Sequence, residues 1–533
     1  MRRRTIVLSV PNNNPSHVIY LPTIWVNLKT YCSTHSRVVD EAFSWLEPII
    51  FKGAPEELLR PYGDTPIDVL GLSCYSWNTK TNMALARHVR SIYPHCLIVA
   101  GGPDLSHRRP DFFAEHPYLD AMVLKDGEVP FLRILEQVAA DRLDLDTIPG
   151  LVLPASGQDR PPERTARQTR PPVLPDDLGP SPWLANADAI EELMARLRRE
   201  RPGIPIGIPW EIDRGCPYNC TFCDWGSNTN SKVRLMDLER LRQEAMWISK
   251  NRIHVTFMTV ANFGMFPRDT EVLEYIIEAK RTYGFPRIFI WNNAKNNVDR
   301  VADMNRRAFE AGLVDFHILS VQSLDPDVLA TMGRKPLDMQ HLARVAERAK
   351  NRGIPCVAQL IFGAPGDNLE KFVGSLTGLM EMGVHDEYVA YPFELLPNAP
   401  ASDPAYLQRW GIRAVTRRGS VNKRRPDDAN KDSSTIIVAT SSYAEAEFVD
   451  MYTQGRLIVA LHNGGVTQFI ARYLRRASGI SYFDFYWWLI GEMFAAPEAP
   501  WQDVYRRCHD HITAYIGAGG EDNVESLSLA EVP

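Results

Sequence analysis

Cysteine is scarce. Eight in 533 residues cannot staple a secreted disulfide scaffold, and three of the eight crowd between positions 216 and 223. Long apolar runs are missing too: none reaches the roughly 18 to 20 uninterrupted residues that cross a bilayer. The nearest approach, residues 479–496, contains Asp484 and Glu492. Positive charge is not in excess, since 59 lysines and arginines face 65 acids for a net charge of -6, so charge gives no sign of a nucleic-acid partner. A dinucleotide fingerprint is also lacking, because the first apolar run, residues 5–10, passes into Pro11-Asn12-Asn13-Asn14-Pro15 instead of G-x-G-x-x-G. That run follows a charged start but is too short for the apolar segment of a signal peptide, and it reads as a first strand. These absences predict a cytoplasmic chain of two or three domains, with no membrane or nucleic-acid partner.

What is present begins with alternation. Short apolar runs at 6–10, 69–73, 97–100 and 121–124, with a helical stretch at 81–92, predict an open, mostly parallel α/β sheet over residues 1–150. Ligands in that architecture bind beyond the C-terminal strand ends, where this chain places Asn12 to Asn14, then Ser73 to Asn78 with Tyr75 among them, then Gly101-Gly102-Pro103 and Asp126-Gly127-Glu128. Residues 151–205 are proline-rich and predict a connector. Six strand-like runs then recur before helical ones, at 206–212, 255–260, 287–291, 316–321, 355–362 and 388–393, predicting a second α/β domain over 206–404, open or closed into a partial (β/α)6 barrel. Residues 405–533 show no clear period and predict a small, mainly helical cap that holds substrate.

The sharpest feature is Gly215-Cys216-Pro217-Tyr218-Asn219-Cys220-Thr221-Phe222-Cys223, a C-x3-C-x2-C loop directly after a strand. Such a loop can wrap three thiolates around one face of an iron–sulfur cubane and leave the fourth iron open. A structural zinc is the alternative, but it wants a fourth cysteine or histidine at local spacing, and the next histidine is His254. Three buried, inert thiols are the bland alternative.

This loop, with Phe222 before the last cysteine, resembles the radical S-adenosylmethionine enzymes. The resemblance covers roughly residues 205–400 and implies a 4Fe-4S cluster on Cys216, Cys220 and Cys223. It also implies a methionine-binding turn at Ala261-Asn262-Phe263-Gly264, in which the family's glycine-rich acidic motif is replaced and Asn262 or backbone carbonyls make the contact. Ser320, Gln322 and Gln359 alternate with apolar residues near the C-terminal rim, where they could hydrogen-bond a ribose or carboxylate, and Gly363 follows in the fifth-strand motif. Lys295, after the third strand, is a candidate for holding a carboxylate.

In that light the first domain resembles the cobalamin-binding domains that precede many radical enzymes. It lacks D-x-H-x-x-G, so no histidine replaces the corrin's own base under cobalt; the segments Arg60 to Tyr62 or Ser73 to Ser76, or water, are the candidates there. The family resemblance implies S-adenosylmethionine as methyl source, methylcobalamin as intermediate and an external electron donor such as flavodoxin or ferredoxin. Residues 223–227 and 261–264 look closest to the subgroup of the tryptophan 2-C-methyltransferase of thiopeptide biosynthesis. That implies antibiotic biosynthesis and an aromatic amino acid substrate, tryptophan methylated at indole C2, with Asp484 in the aromatic stretch 482–488 orienting its amine. Radical C-methylation of another amino acid, peptide or secondary metabolite stays open, as does corrin-dependent oxidative cyclisation. The non-enzyme alternative is a cluster-containing corrin- or nucleic-acid-binding regulator.

Overall fold

The apolar runs of the sequence become strands in the computed structural model, which describes residues 2–12, 17–155, 166–175, 177–225, 232–294, 297–335, 338–418, 433–495 and 500–517. The first eight strands are β1 (Arg4–Ser9), β2 (Ile19–Tyr20), β3 (Phe43–Trp45), β4 (Val69–Ser73), β5 (Leu97–Gly101), β6 (Ala121–Val123), β7 (Leu151–Pro154) and β8 (Ala166–Gln168). Seven of them form one sheet in the order β3-β1-β4-β5-β6-β7-β8. The pairs from β3 to β6 are parallel and the last two antiparallel. β4 is buried along its whole length, which is why it reads as an unbroken apolar run, and the helix Thr79–Ile92 covers it with Met83, Leu85, Ala86 and Val89. The antiparallel strands β7 and β8 extend this sheet into the stretch read as connector.

The parallel part has the flavodoxin-like order, in which the chain turns back on itself beside its first strand. The crevice of that topology lies between the C-terminal ends of β1 and β4.

β2 leaves this sheet and pairs with β9 (Ile206–Trp210), the first strand of the second sheet. A short antiparallel clasp follows, β10 (Asp213–Arg214) with β11 (Arg234–Leu235), and then β12 (Val255–Met258), β13 (Ile288–Ile290), β14 (His317–Gln322), β15 (Cys356–Phe362) and β16 (Glu387–Pro392). The six strand runs of the sequence are therefore β9, β12, β13, β14, β15 and β16. They form two parallel half-sheets, β2-β9-β12-β13 and β14-β15-β16, rather than one ladder. Asn293 stitches the seam by donating from Nδ2 to the Ile318 carbonyl at 2.9 Å.

One apolar core runs from β1 and the helix Thr23–His35 through β9 and β12, so the first sheet and the first half-barrel pack as one body. A second core joins the other half-barrel to the C-terminal segment. That segment is mainly helical, with helices Glu445–Asn463, Gln468–Ser478, Tyr482–Ala495 and Pro500–Gly517. It also contains an antiparallel pair the sequence reading did not find, β17 (Arg413–Arg418) and β18 (Ser433–Ala439).

Candidate functional site

The cysteine loop starts where β10 ends. Gly215 has φ +121°, and a Cβ there would lie 2.5 Å from the Lys232 carbonyl, so only glycine lets the clasp close over the loop. Cys216 and Cys220 are buried and Cys223 is half-buried. Thr221 holds the loop to the second half-barrel: its N–H donates to Met332 O at 2.9 Å, its hydroxyl to Thr331 O at 3.1 Å, and its carbonyl accepts from Ala401 N at 2.9 Å. Phe222 packs edge-on against Phe393, ring centroids 6.3 Å apart. Asn262 Nδ2 donates to Cys216 Sγ at 3.4 Å.

Burial pushes the Cys96 and Cys356 thiols up to about 12 and raises Cys32 and Cys508, which favours their neutral thiol form.

Across the strand ends the polar residues form a rim. Ser320 Oγ donates to Gln359 Oε1 at 3.1 Å, from neighbouring positions of β14 and β15. Gln322 stands at a bulge with φ +66°, and its Oε1 accepts from Arg334 Nη1 at 2.6 Å. Gly264 and Gly363 make the same turn twice: each has positive φ and donates its N–H to a buried aspartate, Asp269 at 2.9 Å and Asp367 at 2.8 Å. Burial raises Asp269 and pushes Asp367 up to about 7; burial, with the Asp269 and Glu211 charges nearby, does the same to Asp213. Lys295 lies outside the described residues, as do Asn13 and Asn14.

At the edge of the first sheet, several side chains expected to meet a cofactor are structural struts. Asn12 donates to Tyr20 O and Ile50 O and accepts from Tyr20 N, which ties β2 to β1. Asn78 bridges Tyr75 N and Pro11 O. Gly101 O takes the Cys74 N–H at 2.7 Å. Gly102 was expected to allow close approach of a corrin tail, but its reason is internal: at φ +119° a Cβ would lie 2.2 Å from Cys74 O. Gly102→Val is therefore expected to lower the unfolding temperature of the cofactor-free protein, measured by thermal denaturation; unchanged stability would refute the clash. The Ser73 carbonyl accepts from Asn82 Nδ2 at 2.9 Å. Tyr75 stacks on Trp77, centroids 4.5 Å apart at 14°, a flat surface beside the crevice that the sequence reading missed in Trp77.

The two edges are fastened to each other. Gly127 caps the helix Glu128–Ala139, and Glu128 accepts from Arg214 Nη1 at 2.8 Å, so this expected cofactor residue instead grips the strand leading into the cysteine loop. Arg214 also forks onto Glu211 at 2.8 Å through both bonds and lies 3.3 Å from Asp126, which in turn takes Arg234 at 2.6 Å. Burial works against the Arg214 charge, but Glu128, Glu211 and Asp126 outweigh it and push its pKa further up. On the other flank Asn398 Nδ2 donates to Pro103 O and Leu105 O, at 3.1 and 2.8 Å. The segment after β16 thus touches both the β5 loop and, through Ala401, the cysteine loop.

The remaining catalytic candidates have these surroundings. Arg60 is exposed, and the Tyr62 hydroxyl donates to Glu47 O. Asp484 is exposed and exchanges hydrogen bonds with Ser481, capping its own helix. That helix, Tyr482–Ala495, packs on the helix Leu369–Glu381 outside the barrel. Tyr486 reaches His462 Nδ1 at 2.7 Å, while Trp487 and Trp488 face solvent, so the aromatic stretch is packing and surface rather than a substrate cover.

The model of the radical SAM superfamily matches residues 210–377. A 2-(S-pantetheinyl)-carbapenam-3-carboxylate methyltransferase from Streptantibioticus cattleyicolor is 34% identical over 500 residues, 93% of this chain and 72% of that protein. The cobalamin-dependent radical SAM methyltransferase TokK from Streptomyces tokunonensis is 33% identical over 497 residues, 92% of this chain and 71% of TokK. The chain belongs to the cobalamin-dependent radical SAM methyltransferases. The fold agrees: the methyltransferase TsrM from Kitasatospora setae, solved with cobalamin and a 4Fe-4S cluster, matches with TM-score 0.58 at 15% identity, over 85% of this chain and 88% of that one. TsrM has also been solved with tryptophan and a SAM analog, matching with TM-score 0.57 at 15% identity over 78% of this chain and 80% of that one.

The cofactors of this methyltransferase are a 4Fe-4S cluster, cobalamin and S-adenosylmethionine. The residues present fit them. A cubane takes each thiolate on a separate iron, and the three thiols of this one loop, Cys216 among them hydrogen-bonded from Asn262, are that donor set. The stacked Tyr75 and Trp77 beside the crevice offer a corrin a flat face, and the loops 73–78 and 101–105 contain no histidine to ligate cobalt.

Proposed function

We propose that this methyltransferase adds methyl to a saturated carbon of a pantetheine-bearing carbapenam carboxylate or a close relative. The observation that carries this reading is sequence identity of about one third running through more than nine-tenths of the chain, from the first sheet to the C-terminal helices, to an enzyme named for that substrate. The tryptophan C2 reading has less behind it: the tryptophan-bound relative shares the fold at 15% identity, and the aromatic stretch 482–488 lies on a helix outside the barrel.

In this reading Cys216, Cys220 and Cys223 hold the cluster. Asn262, Gly264, Ser320, Gln322, Gln359 and Gly363 surround S-adenosylmethionine, and Ser73, Tyr75 and Trp77 meet the corrin. When bound, the cluster supplies the electron that cleaves S-adenosylmethionine and the corrin carries the methyl group. The chain's part is positional: the two buried edges, joined through Arg214 and Asn398, exclude water and hold both cofactors against one substrate. A saturated carbon has no electron pair to offer a methyl donor, so a hydrogen atom must leave it first. Reducing power from a flavodoxin or ferredoxin, and a cytoplasmic setting, belong to the same proposal; among the described residues no helix is long and apolar enough to cross a membrane.

The test is anaerobic incubation of the loaded enzyme with methyl-labelled S-adenosylmethionine and, separately, 2-(S-pantetheinyl)-carbapenam-3-carboxylate and tryptophan. Label in the carbapenam, with 5′-deoxyadenosine formed in step, is the expected result. Label at tryptophan C2 without deoxyadenosine would overturn it.

A further inference from the structure

The methionine-binding turn after β12 behaves unexpectedly. Its side chain Asn262 points at the cysteine loop, donating from Nδ2 to Cys216 Sγ at 3.4 Å, with both residues less than a tenth exposed. The turn around it is pinned on every side. Phe263 N donates to Asn292 O and Ala294 N to Phe263 O, both at 2.8 Å; Gly264 N is held by Asp269, and Arg300 grips the carbonyls of Gly264 and Met265 at 3.1 and 3.0 Å. A Cβ at Gly264 would lie 2.7 Å from Val301, so the turn also lies against the following helix, Val298–Glu310.

From this geometry we infer that Asn262 is a positioning residue for the cluster, donating a side-chain hydrogen bond to the Cys216 thiolate that raises the cluster's reduction potential. The inference rests on the reading of Cys216 as a cluster ligand. A thiolate on iron has no hydrogen to give, so only the NH2 end of the amide can face it; the oxygen end would be repelled. Reduction places more negative charge on the cluster and its sulfurs, and a donor already aimed at a sulfur stabilises that state. Because the pair is buried, water does not compete for the bond, and because the turn is fixed, no reorganisation is needed when the electron arrives.

The test compares wild type, Asn262→Leu and Asn262→Asp, each reconstituted anaerobically, by EPR-monitored redox titration without S-adenosylmethionine, with iron counted per chain. The midpoint is expected to fall in Asn262→Leu, which loses the donor, and further in Asn262→Asp, which sets a negative charge against the sulfur. The midpoint of the loaded fraction does not depend on occupancy, so a purely structural role would lower the iron count and leave the midpoint alone. Asn262→Asp keeps the shape of the native side chain and carries the test if the leucine variant loads poorly. Equal midpoints in all three proteins overturn the inference alone. A wild-type chain that takes up no cluster, or a Cys216→Ala chain whose cluster is unchanged, overturns the ligand reading and the inference with it.

Discussion

Alanine at Cys216, Cys220 and Cys223 together is expected to remove the visible iron–sulfur absorption of the reconstituted protein, and to take iron from about four per chain to near zero, while hydroxocobalamin uptake survives. The separation follows from how the two edges are built. The thiols sit on a loop held by Thr221, Gly215 and the Asn262 turn, and none of these contacts reaches the corrin-side sheet. Ties between the edges, Arg214 and Arg234 on one flank and Asn398 and Arg108 on the other, are left in place by the substitutions. Methyl transfer is lost altogether, since S-adenosylmethionine then has no open iron. The checks are iron analysis and the absorption spectrum after anaerobic reconstitution, with cobalamin measured after desalting. A cubane retained by the triple variant would refute the ligand assignment, and loss of cobalamin along with iron would refute the independence of the two edges.

Much of this architecture was legible because it is written at short range. Six apolar runs with helical runs between them give β9, β12, β13, β14, β15 and β16, and the spacing of three cysteines needs only a loop after a strand. Edge strand β3 went unread because three residues carry no period, and β17 because arginines and a threonine interrupt its apolar pattern; the apolar run of β18, residues 436–439, was passed over.

The site was harder for a different reason. Asn12, Asn78, Gly102 and Glu128 were rightly placed at strand ends, but a residue type cannot reveal which neighbour consumes it. Asn12 spends its amide on Tyr20 and Ile50, Gly102 yields to Cys74, and Glu128 pairs with an arginine 86 positions away. Asp484 misled similarly: a carboxylate beside aromatic residues looks like a ligand for an amine, yet Ser481 three residues earlier makes it half of a helix cap. Long-range pairing of opposite charges leaves no local trace, and the Arg214 cluster at the joint between the two halves is made of such pairs.

That joint is where a single substitution is expected to cost most in stability. The Arg214 side chain is 11% exposed, and it touches Glu128 and Asp126 from the corrin-side sheet and Glu211 three residues before it. Arg214→Met leaves the buried Glu128 and the half-buried Glu211 without their counter-charge, a change expected to cost about 3–5 kcal/mol. Asp126 keeps Arg234, so Arg234→Met, which leaves Asp126 the Arg214 contact at 3.3 Å, costs less. Arg214→Lys falls between wild type and Arg214→Met, because an ammonium keeps the charge but cannot fork onto Glu211 while reaching Glu128. Adding Glu128→Gln to Arg214→Met recovers part of the loss, since the neutral amide no longer needs a counter-charge, so the two changes combine non-additively. Urea unfolding of the four variants checks this order. The same arginine stands two residues before Cys216, so in Arg214→Met the loop 126–128 loses its register against the cluster loop and methyl transfer falls even where both cofactors are loaded. An Arg214→Met protein within about 1 kcal/mol of wild type would place the pair among solvent-screened surface bridges and remove the joint as the element that holds the two edges in register.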